Sequence, residues 1–314
     1  MMSLLEIKDL KVHYPIRGGF FNKIVDHVYA VDGVNMVIEE GKTYGLIGES
    51  GSGKSTVGKT IVGLEKATSG QILYKNENIL NAEVRKKIKY NRDVQMIFQD
   101  SMSSLDPKKR VLDILAEPIR NFDKLDKREE KLKVCELLEI VGMPMDSIFK
   151  YPHEFSGGQR QRLGVARAIA CKPKLIIADE PVSALDLSVQ AQVLNYLKQI
   201  QKEFNLSYIF ISHDLGVVKH MCDYIYIMHR GRFTETGNKA DIYKDPRHIY
   251  TKRLIASIPQ INPSLKHELK DNRQKVDAEF EKYYSEYYDE SGRVYPLEKV
   301  GETHYVAMKK GGNN

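Results

Sequence analysis

The sequence predicts an α/β protein with a parallel β-sheet and a loop that binds phosphate groups. Residues 174–179 (KLIIAD) and 208–212 (YIFIS) are apolar runs of strand length, and residues 189–204 between them have the spacing of an amphipathic helix. A strand, a helix and a second strand in this order favour parallel pairing. Residues 48–55 read GESGSGKS, which fits the G-x-x-x-x-G-K-[ST] pattern of a phosphate-binding loop.

The composition is that of an ordinary globular protein. With 42% hydrophobic and 29% charged residues, it excludes a collagen-like, low-complexity or disordered chain. The net charge of +6 is modest for 314 residues, so a polyanion-binding surface is not indicated. No apolar run approaches the roughly 18 residues of a membrane-spanning helix, and the N-terminus lacks a secretion signal, so we expect a cytosolic chain. Cys135, Cys171 and Cys222 form no C-x-x-C pair, which argues against disulfides or a zinc site.

The first 75 residues alternate between strand signals and turn signals. The predicted elements are strands at 4–14, 34–38, 43–48 and 71–74 and a helix at 54–64. The glycine-containing segment RGGFFNK, at residues 17–23, is predicted to be a loop.

The middle and the end of the chain carry helical patterns and a hairpin. Residues 109–142 are predicted to be helical with a break at Pro118, and a further helix is predicted from Ser156 to Lys172. Residues 224–229 and 233–236 flank a glycine and favour a hairpin. Beyond about residue 245 the composition changes to a charged, tyrosine-rich segment, which predicts a smaller appendage with a solvated helix. Its tyrosines include Tyr283, Tyr284, Tyr287 and Tyr288.

The glycine-rich loop is predicted to hold a nucleoside triphosphate. Gly48, Gly51 and Gly53 let the backbone fold around an anion, so that successive N–H groups point inward. Lys54 is expected to neutralise the β and γ phosphates, and the hydroxyl of Ser55 to reach Mg²⁺.

Two acidic residues follow the apolar strand at 175–178. Asp179 and Glu180 lie at its carboxyl end, where α/β proteins hold ligands. Because adjacent strand residues point in opposite directions, we expect Asp179 to face the metal and Glu180 to face a water molecule. Without the phosphate-binding loop, the pair would be better interpreted as two surface acids after a core strand.

Residues 155–159 (FSGGQ) begin a helix that can serve as a second anion site. Ser156 and Gln159 have the spacing of a capping box, and Gly157 and Gly158 would let a phosphate approach the N–H groups at the helix start. Capping without any ligand is the alternative. Lys54 and Asp179 are 125 positions apart, so a subdomain that begins near residues 94–100 must be inserted between them.

Taken together, these segments resemble the ATP-binding cassette (ABC) ATPases. The matching motifs are GESGSGKS (Walker A), Gln99 in IFQD (Q-loop), FSGGQ with Phe155 in place of the commoner Leu (signature), LIIADE (Walker B), Ser183 to Asp186 (D-loop) and His213 in ISHD (switch). The resemblance implies a RecA-like parallel sheet core, an N-terminal antiparallel β subdomain and a helical subdomain at about 100–172, within an ATPase domain of residues 1–245.

The resemblance also implies the roles of individual residues. Two cassettes would pair head to tail, so that the helix led by Ser156 closes over the nucleotide held by Lys54 of the other chain. Glu180 would polarise the attacking water, His213 would support the γ-phosphate, and Gln99 would sense Mg²⁺. The expected contacts of ATP are Tyr14, which would stack on adenine, and Gly48, Glu49, Ser50, Gly51, Ser52, Gly53, Lys54, Ser55, Thr56, Gln99, Ser156, Gly157, Gly158, Gln159 and Asp186. The expected catalytic residues are Lys54, Glu180 and His213. The expected ligands of Mg²⁺ are Ser55, Gln99 and Asp179. Alternatively, Tyr14 covers a sheet edge.

Within this family, the chain resembles the ATPase subunits of oligopeptide and dipeptide importers, and in particular the subunit that is designated F in these importers. The inserted RGGFF loop, the segment from Gln99 to Pro107 and residues 245–259 carry this resemblance, which implies a C-terminal extension at 246–314. Its expected partners are a related second ABC ATPase, two membrane permeases and, indirectly, an extracellular solute-binding protein, with no nucleic acid, at the cytoplasmic face of the membrane. No iron–sulfur cluster is expected, since no cysteine follows Cys222. Import of nickel or another small solute, and a soluble ATPase acting on nucleic acid or ribosomes, remain alternatives.

Overall fold

The computed structural model describes residues 3–100, 104–258 and 266–310, with side chains described from residue 270 in the last range. The chain forms two compact units. The first comprises Met1–Leu4, Ile38–Lys42 and Glu77–Ile209, and the second comprises Leu5–Val37, Thr43–Asn76 and Phe210–Asn314. The predicted boundary between domains at residue 245 stays a prediction.

The strands are β1 (Ser3–Gly18), β2 (Lys23–Glu39), β3 (Thr43–Ile47), β4 (Ser69–Tyr74), β5 (Glu77–Asn78), β6 (Val94–Ile97), β7 (Leu175–Asp179), β8 (Ser207–Ser212), β9 (Tyr224–His229), β10 (Arg232–Asn238), β11 (Leu297–Lys299) and β12 (Tyr305–Ala307). The helices are α1 (Lys54–Val62), α2 (Ala82–Lys87), α3 (Tyr90–Asp93), α4 (Val111–Phe122), α5 (Lys127–Ile140), α6 (Gly157–Ile169), α7 (Leu187–Phe204), α8 (Leu215–Met221), α9 (Lys239–Lys244), α10 (Ile249–Ala256), α11 (Lys266–Lys282) and α12 (Tyr284–Tyr287), with single 3-10 turns at Met145–Phe149 and Pro152–Glu154. None of the helices in the described ranges is long and apolar enough to cross a membrane.

The first unit combines parallel strands with a group of helices. Strands β6 and β7 pair in parallel, with Val94 opposite Leu175 and Ile97 opposite Ala178. Every residue of β7 is buried, as its apolar run predicted. Helix α4 packs against α5 and α6. The helical signal between residues 109 and 142 is therefore two helices of the first unit.

The predicted break at Pro118 is wrong. Pro118 lies inside α4, and the chain leaves the helix at Asp123. A proline in a helix interior removes one hydrogen bond, to the carbonyl of Ile114, at a cost of about 3 kcal/mol. Ile114, Leu115 and Ile119 on either side of it are at most 4% exposed, so burial of this face holds the helix together across the proline.

The second unit contains strands of both orientations. Strands β3 and β9 are parallel, with Tyr44 opposite Tyr224 and Ile47 opposite Ile227. Strands β9 and β10 form the predicted antiparallel hairpin. Within this unit, β1 lies between β2 and β4 in a separate antiparallel group, pairing Leu5 with Tyr74. The prediction of an α/β protein with a parallel sheet is confirmed.

The N-terminal hairpin is longer than predicted. The expected loop at 17–23 contracts to a turn at residues 19–22, closed by a hydrogen bond from the Asn22 N–H to the Gly19 carbonyl. Strand β1 therefore runs on to Gly18, and β2 already begins at Lys23. Residues 23–29 of β2 are all exposed, so they lack the alternation of buried and exposed positions that marks a strand in a sequence.

The C-terminal segment contains the predicted solvated helix, since α11 is mostly exposed over residues 270–282, but the part that follows this helix packs into a buried cluster. Tyr288 is 1% exposed and forms a cluster with Ile249, Val294 and Ala307. Strand β12 pairs with β10, and β11 pairs with β12. A buried carboxylate holds this segment, because Glu235 of β10 accepts hydrogen bonds from the backbone N–H groups of Arg247 (2.9 Å) and His248 (3.0 Å) and lies 2.6 Å from His304 Nε2.

Candidate nucleotide-binding site

The phosphate-binding loop connects β3 to α1 within the second unit. Gly53 has φ 106°, and a Cβ there would overlap the carbonyl oxygen of Ala30. At Gly48 a Cβ would overlap the carbonyl oxygen of Met228, the residue before the end of β9. Only glycine fits at these two positions, so the backbone of the loop is packed against the neighbouring strand ends. The loop then enters α1, whose N-cap Gly53 provides no side-chain hydrogen bond to the helix start.

Lys54 is folded into this loop. Lys54 is only 5% exposed, and its Nζ donates to the Glu49 carbonyl oxygen at 2.8 Å and to Ser52 Oγ at 3.5 Å. Ser55 and Thr56 follow in the first turn of α1. Backbone N–H groups at a helix start and a buried ammonium group form an environment suited to a phosphate. The loop thus brings together the predicted contacts from Gly48 to Thr56.

Tyr14, the predicted adenine contact, lies on β1 and is 38% exposed. Partial burial, followed by the neighbouring Glu65 carboxylate, raises the pKa of Tyr14, and the polar side chain of Thr56 acts in the opposite direction without reversing the increase. The hydroxyl therefore stays protonated at pH 7, and the ring lies beside the first turn of α1. The exposed ring remains available for stacking, which stays a prediction.

The two acidic residues of the first unit differ in conformation. Asp179 is the last residue of β7 and is 4% exposed. Glu180 has φ 45°, in the left-handed region that side chains with a Cβ rarely adopt. The side chains of Asp179 and Glu180 are therefore separated by a turn of the backbone at Glu180. The sequence predicted instead that the alternation of a regular strand would separate them. Strained backbone of this kind is concentrated at functional sites.

Gln99 contacts Glu180 directly. Gln99 lies two residues after β6 and is exposed, and its Nε2 donates to Glu180 Oε2 at 2.9 Å. The parallel pairing of β6 and β7 places both strand ends on the same side, which brings these residues together. The bond uses the nitrogen of the Gln99 amide and not its oxygen, the atom that a metal would take.

The predicted second anion site is a capped helix start. Ser156 Oγ accepts from the Gln159 N–H at 3.3 Å, and Gln159 Oε1 accepts from the Ser156 N–H at 2.9 Å, so the capping box is present. A Cβ at Gly158 would lie 2.6 Å from Val189 Cγ1 of α7. The two glycines therefore let α6 begin close to the start of α7. Phe155 is 7% exposed, so it fills the apolar role of the commoner leucine.

Asp186, predicted to contact the nucleotide, is the N-cap of α7. Its Oδ1 accepts from the Val189 N–H at 3.0 Å and from the Ser188 hydroxyl at 2.6 Å. The hydrogen bond from Ser188, followed by that from Val189, lowers the pKa of Asp186. A contact of this carboxylate with a nucleotide stays a prediction. His213 directly follows β8 and is exposed in the second unit, before α8 begins with its N-cap Asp214.

One residue that contacts the phosphate-binding loop has no signal in the sequence. Tyr250 in α10 accepts a hydrogen bond from the Glu49 N–H of the phosphate-binding loop at 3.0 Å. Glu49 and Tyr250 are separated by 201 positions, and no local pattern of residues indicates a contact over such a distance. In the sequence, Tyr250 is part of residues 245–259, which carry the family resemblance and no signal of a loop contact.

Two family models match the chain. One is described as ABC transporter and matches residues 31–183. The other is described as the C-terminal region of oligopeptide/dipeptide transporters and matches residues 234–285.

Curated relatives match over most or all of the chain. The chain is 57% identical to the oligopeptide transport ATP-binding protein OppF of Lactococcus lactis subsp. lactis (strain IL1403) over 314 residues, which is 100% of this chain and 98% of that protein. It is 43% identical to the dipeptide transport ATP-binding protein DppF of Haemophilus influenzae over 265 residues, covering 84% and 81% of the two chains. Among solved structures, the ATP-binding cassette MJ0796, a dimer bound to ADP and Pi, is 26% identical with a TM-score of 0.67, covering 75% of this chain and 98% of that one.

Proposed function

This chain belongs to the family of ABC transporter ATP-binding proteins, as its 57% identity to a member over 314 residues shows, and from that premise we propose that it powers import of oligopeptides or dipeptides. It is an ATPase with the fold of an ATP-binding cassette. The identity over the whole length is the observation that carries the proposal, because it includes the C-terminal region as well as the cassette. The relatives named for oligopeptide and dipeptide transport support this cargo class.

The phosphate-binding loop holds the triphosphate in this proposal. Lys54 Nζ, which donates to the Glu49 carbonyl at 2.8 Å, moves to the β and γ phosphate oxygens. The backbone N–H groups at the start of α1 surround the β-phosphate. The contact of Lys54 with phosphate replaces its internal contact with a neutral carbonyl, so the charge of the ammonium group is balanced when ATP binds.

The other proposed contacts of ATP come from residues of the family's sequence motifs. Mg²⁺ supplies charge neutralisation at the phosphate oxygens when it is bound. The Ser55 hydroxyl, the Asp179 carboxylate and the Gln99 amide oxygen are hard oxygen donors of the kind that Mg²⁺ prefers. Glu180 orients the attacking water, and His213 supports the γ-phosphate. Gln99 Nε2 donates to one of the two Glu180 carboxylate oxygens, so this bond orients the carboxylate for its role.

Hydrolysis requires a second ABC ATPase in this proposal. The start of α6, with Ser156, Gly157, Gly158 and Gln159, closes over the nucleotide of the partner chain. Asp186 caps α7, whose start lies close to the start of α6. The partner is a related ATPase subunit, and the pair binds two permeases at the cytoplasmic face of the membrane. An extracellular solute-binding protein delivers the peptide to the permeases.

The proposal is tested by purifying the tagged chain from membranes and identifying the proteins that travel with it. Two permeases and a different cassette ATPase are the expected companions, and ribosomal or DNA-repair proteins would contradict the proposal. The cargo is tested by uptake of a radiolabelled tetrapeptide in cells that lack the chain. The native chain should restore uptake, and Lys54→Ala should not. Restoration of nickel uptake in place of peptide uptake would overturn the peptide assignment.

A further inference from the structure

One tyrosine outside the predicted site joins the C-terminal segment to the phosphate-binding loop. Tyr250 is 1% exposed, and its hydroxyl oxygen accepts the hydrogen bond from the Glu49 N–H at 3.0 Å. The carbonyl of the same Glu49 accepts from Lys54 Nζ at 2.8 Å. A single residue of the loop is therefore held on one side by Tyr250 and on the other by Lys54.

The Tyr250 ring is itself fixed by its neighbours. It stacks on the ring of His229 with centroids 4.2 Å apart and planes at 18°. His229 Nδ1 lies 2.8 Å from the Tyr288 hydroxyl, and the Tyr250 N–H donates to His248 Nδ1 at 3.0 Å. Burial lowers the pKa of His229 to about 4, and the charges of Arg230 and Arg253 act in the same direction, so this ring is neutral at pH 7. Burial raises the pKa of Tyr250, so its hydroxyl stays protonated.

We propose that Tyr250 is a positioning residue for ATP binding, which fixes the Glu49 peptide group and thereby the start of the phosphate-binding loop. The inference rests on the proposed role of residues 48–55 as the ATP site. A loop that is already ordered loses less conformational entropy when a ligand binds, so its affinity is higher. The C-terminal segment, through Tyr250 and Tyr288, then sets the affinity of the cassette for nucleotide.

The test is the substitution Tyr250→Phe, which removes the hydroxyl and keeps the ring. Binding of a fluorescent ATP analogue to the purified full-length chain should weaken about fivefold, the equivalent of one neutral hydrogen bond. Tyr287→Phe is the matched control. The Tyr287 hydroxyl belongs to the same aromatic cluster but donates to the Arg247 carbonyl at 3.2 Å, away from the loop. The affinity of the Tyr287→Phe variant for the fluorescent ATP analogue should equal that of the native chain.

A kinetic readout separates positioning from general damage. In the assembled transporter, Tyr250→Phe should raise KM for ATP about fivefold, while kcat at saturation stays within about twofold of the native value. Equal affinities in the native chain and Tyr250→Phe would overturn the inference, as would an equal loss in both variants. Failure of the native chain to bind the analogue would instead contradict the proposed function.

The tip of the N-terminal hairpin is a second, independent feature. Phe20 and Phe21, in the turn between β1 and β2, are 98% and 79% exposed and meet edge to face at 5.6 Å. Ile24 and Val25, at the start of β2, are also more than half exposed. Arg17 and Lys23 flank the turn and are exposed as well. The next charged side chain along β2 is Asp26.

This tip has the chemistry of a membrane contact. Two phenylalanines provide about 400 Å² of contact area, which is below the roughly 800 Å² per partner of a stable protein interface. Exposed phenylalanine side chains insert at the boundary of headgroups and acyl chains, and cationic side chains beside them attract anionic headgroups. We infer that the tip at residues 17–23 binds the surface of a bilayer that contains anionic lipid, with Phe20 and Phe21 inserted at the headgroup level.

The sequence contains no tryptophan, so Phe21→Trp introduces a single fluorescent reporter at the tip. Its emission should shift to the blue with vesicles of phosphatidylcholine and phosphatidylglycerol, and the shift should be reversed by high salt. Phe149→Trp, at an exposed position of the first unit (56%), is the control and should not shift. An unchanged emission of Phe21→Trp with these vesicles would overturn the inference. A shift seen only with purified permease would assign the tip to a protein partner and overturn it equally.

Discussion

At the scale of single residues, Glu180 combines two unusual features. Its backbone is in the left-handed region at φ 45°, and its carboxylate accepts the hydrogen bond from Gln99 Nε2 at 2.9 Å. Side chains with a Cβ rarely adopt this backbone conformation, and Gln99 donates to only one of the two carboxylate oxygens. Because a carboxylate has about four acceptor positions, Gln99 orients the Glu180 side chain that the proposed hydrolysis uses.

We expect Glu180→Gln to lower the rate of ATP hydrolysis by at least about a hundredfold, because an amide cannot act as the general base. Binding of ATP should be retained, since the phosphate-binding loop is unchanged. Phosphate release from the assembled transporter measures the first effect, and titration with a fluorescent ATP analogue measures the second. Glu203→Gln, the same change at an exposed position of α7, is the control. Hydrolysis by Glu180→Gln at the native rate would show that the assignment of Glu180 is wrong.

At the scale of elements, the start of α5 illustrates a stabilisation that the sequence encodes locally. Asp126 Oδ1 accepts from the N–H groups of Arg128 and Glu129 at 2.8 Å each, and Glu129 Oε2 accepts from the Asp126 N–H at 3.0 Å. This capping box starts α5 at Lys127, after residues 123–126 have separated it from the end of α4 at Phe122. The boundary at which the second helix begins is thus marked by Asp126, whereas Pro118 lies inside the first helix.

Asp126→Ala should lower the free energy of unfolding by about 1 kcal/mol, the usual cost of losing an N-cap side chain. Urea denaturation followed by circular dichroism measures this value. Lys127→Ala, at the next exposed position, should change it by less than about 0.5 kcal/mol. A similar loss in both variants would mean that the cap contributes nothing specific to α5.

The elements that the sequence predicted well are those with a local signal. The buried strand at 174–179, the hairpin at 224–236 and the capping box at Ser156 depend on apolar runs, turn residues and caps that lie next to each other in the chain. The burial of Tyr288 and the contact of Tyr250 with Glu49 depend on pairings between distant segments. A tyrosine-rich, charged segment has the same composition whether its rings face a cluster or water. This part of the site therefore could not be predicted from the sequence alone.

At the scale of the whole molecule, the motifs are divided between two compact units. The phosphate-binding loop, Tyr14 and His213 belong to the second unit, whereas Gln99, Glu180 and the start of α6 belong to the first. In the proposed pair of ATPases, each nucleotide is held by the loop of one chain and closed by the α6 start of the other. Binding and hydrolysis then become separable properties, because a chain can bind ATP with its own loop but needs its partner for turnover.

Ser156→Arg is the substitution that separates them. An arginine at the start of α6 should exclude the partner's nucleotide by its bulk, so hydrolysis at the site it closes should fall at least about a hundredfold, the loss typical when a group that stabilises transition-state charge is removed. The affinity of the altered chain for a fluorescent ATP analogue should not change, because its own phosphate-binding loop is intact. Asp126→Ala, which removes a helix cap of the same unit without touching nucleotide, controls for loss of capping. If Ser156→Arg hydrolyses ATP normally, or if the isolated monomer turns over ATP as fast as the assembled transporter, the nucleotide is not shared between chains and each cassette hydrolyses on its own.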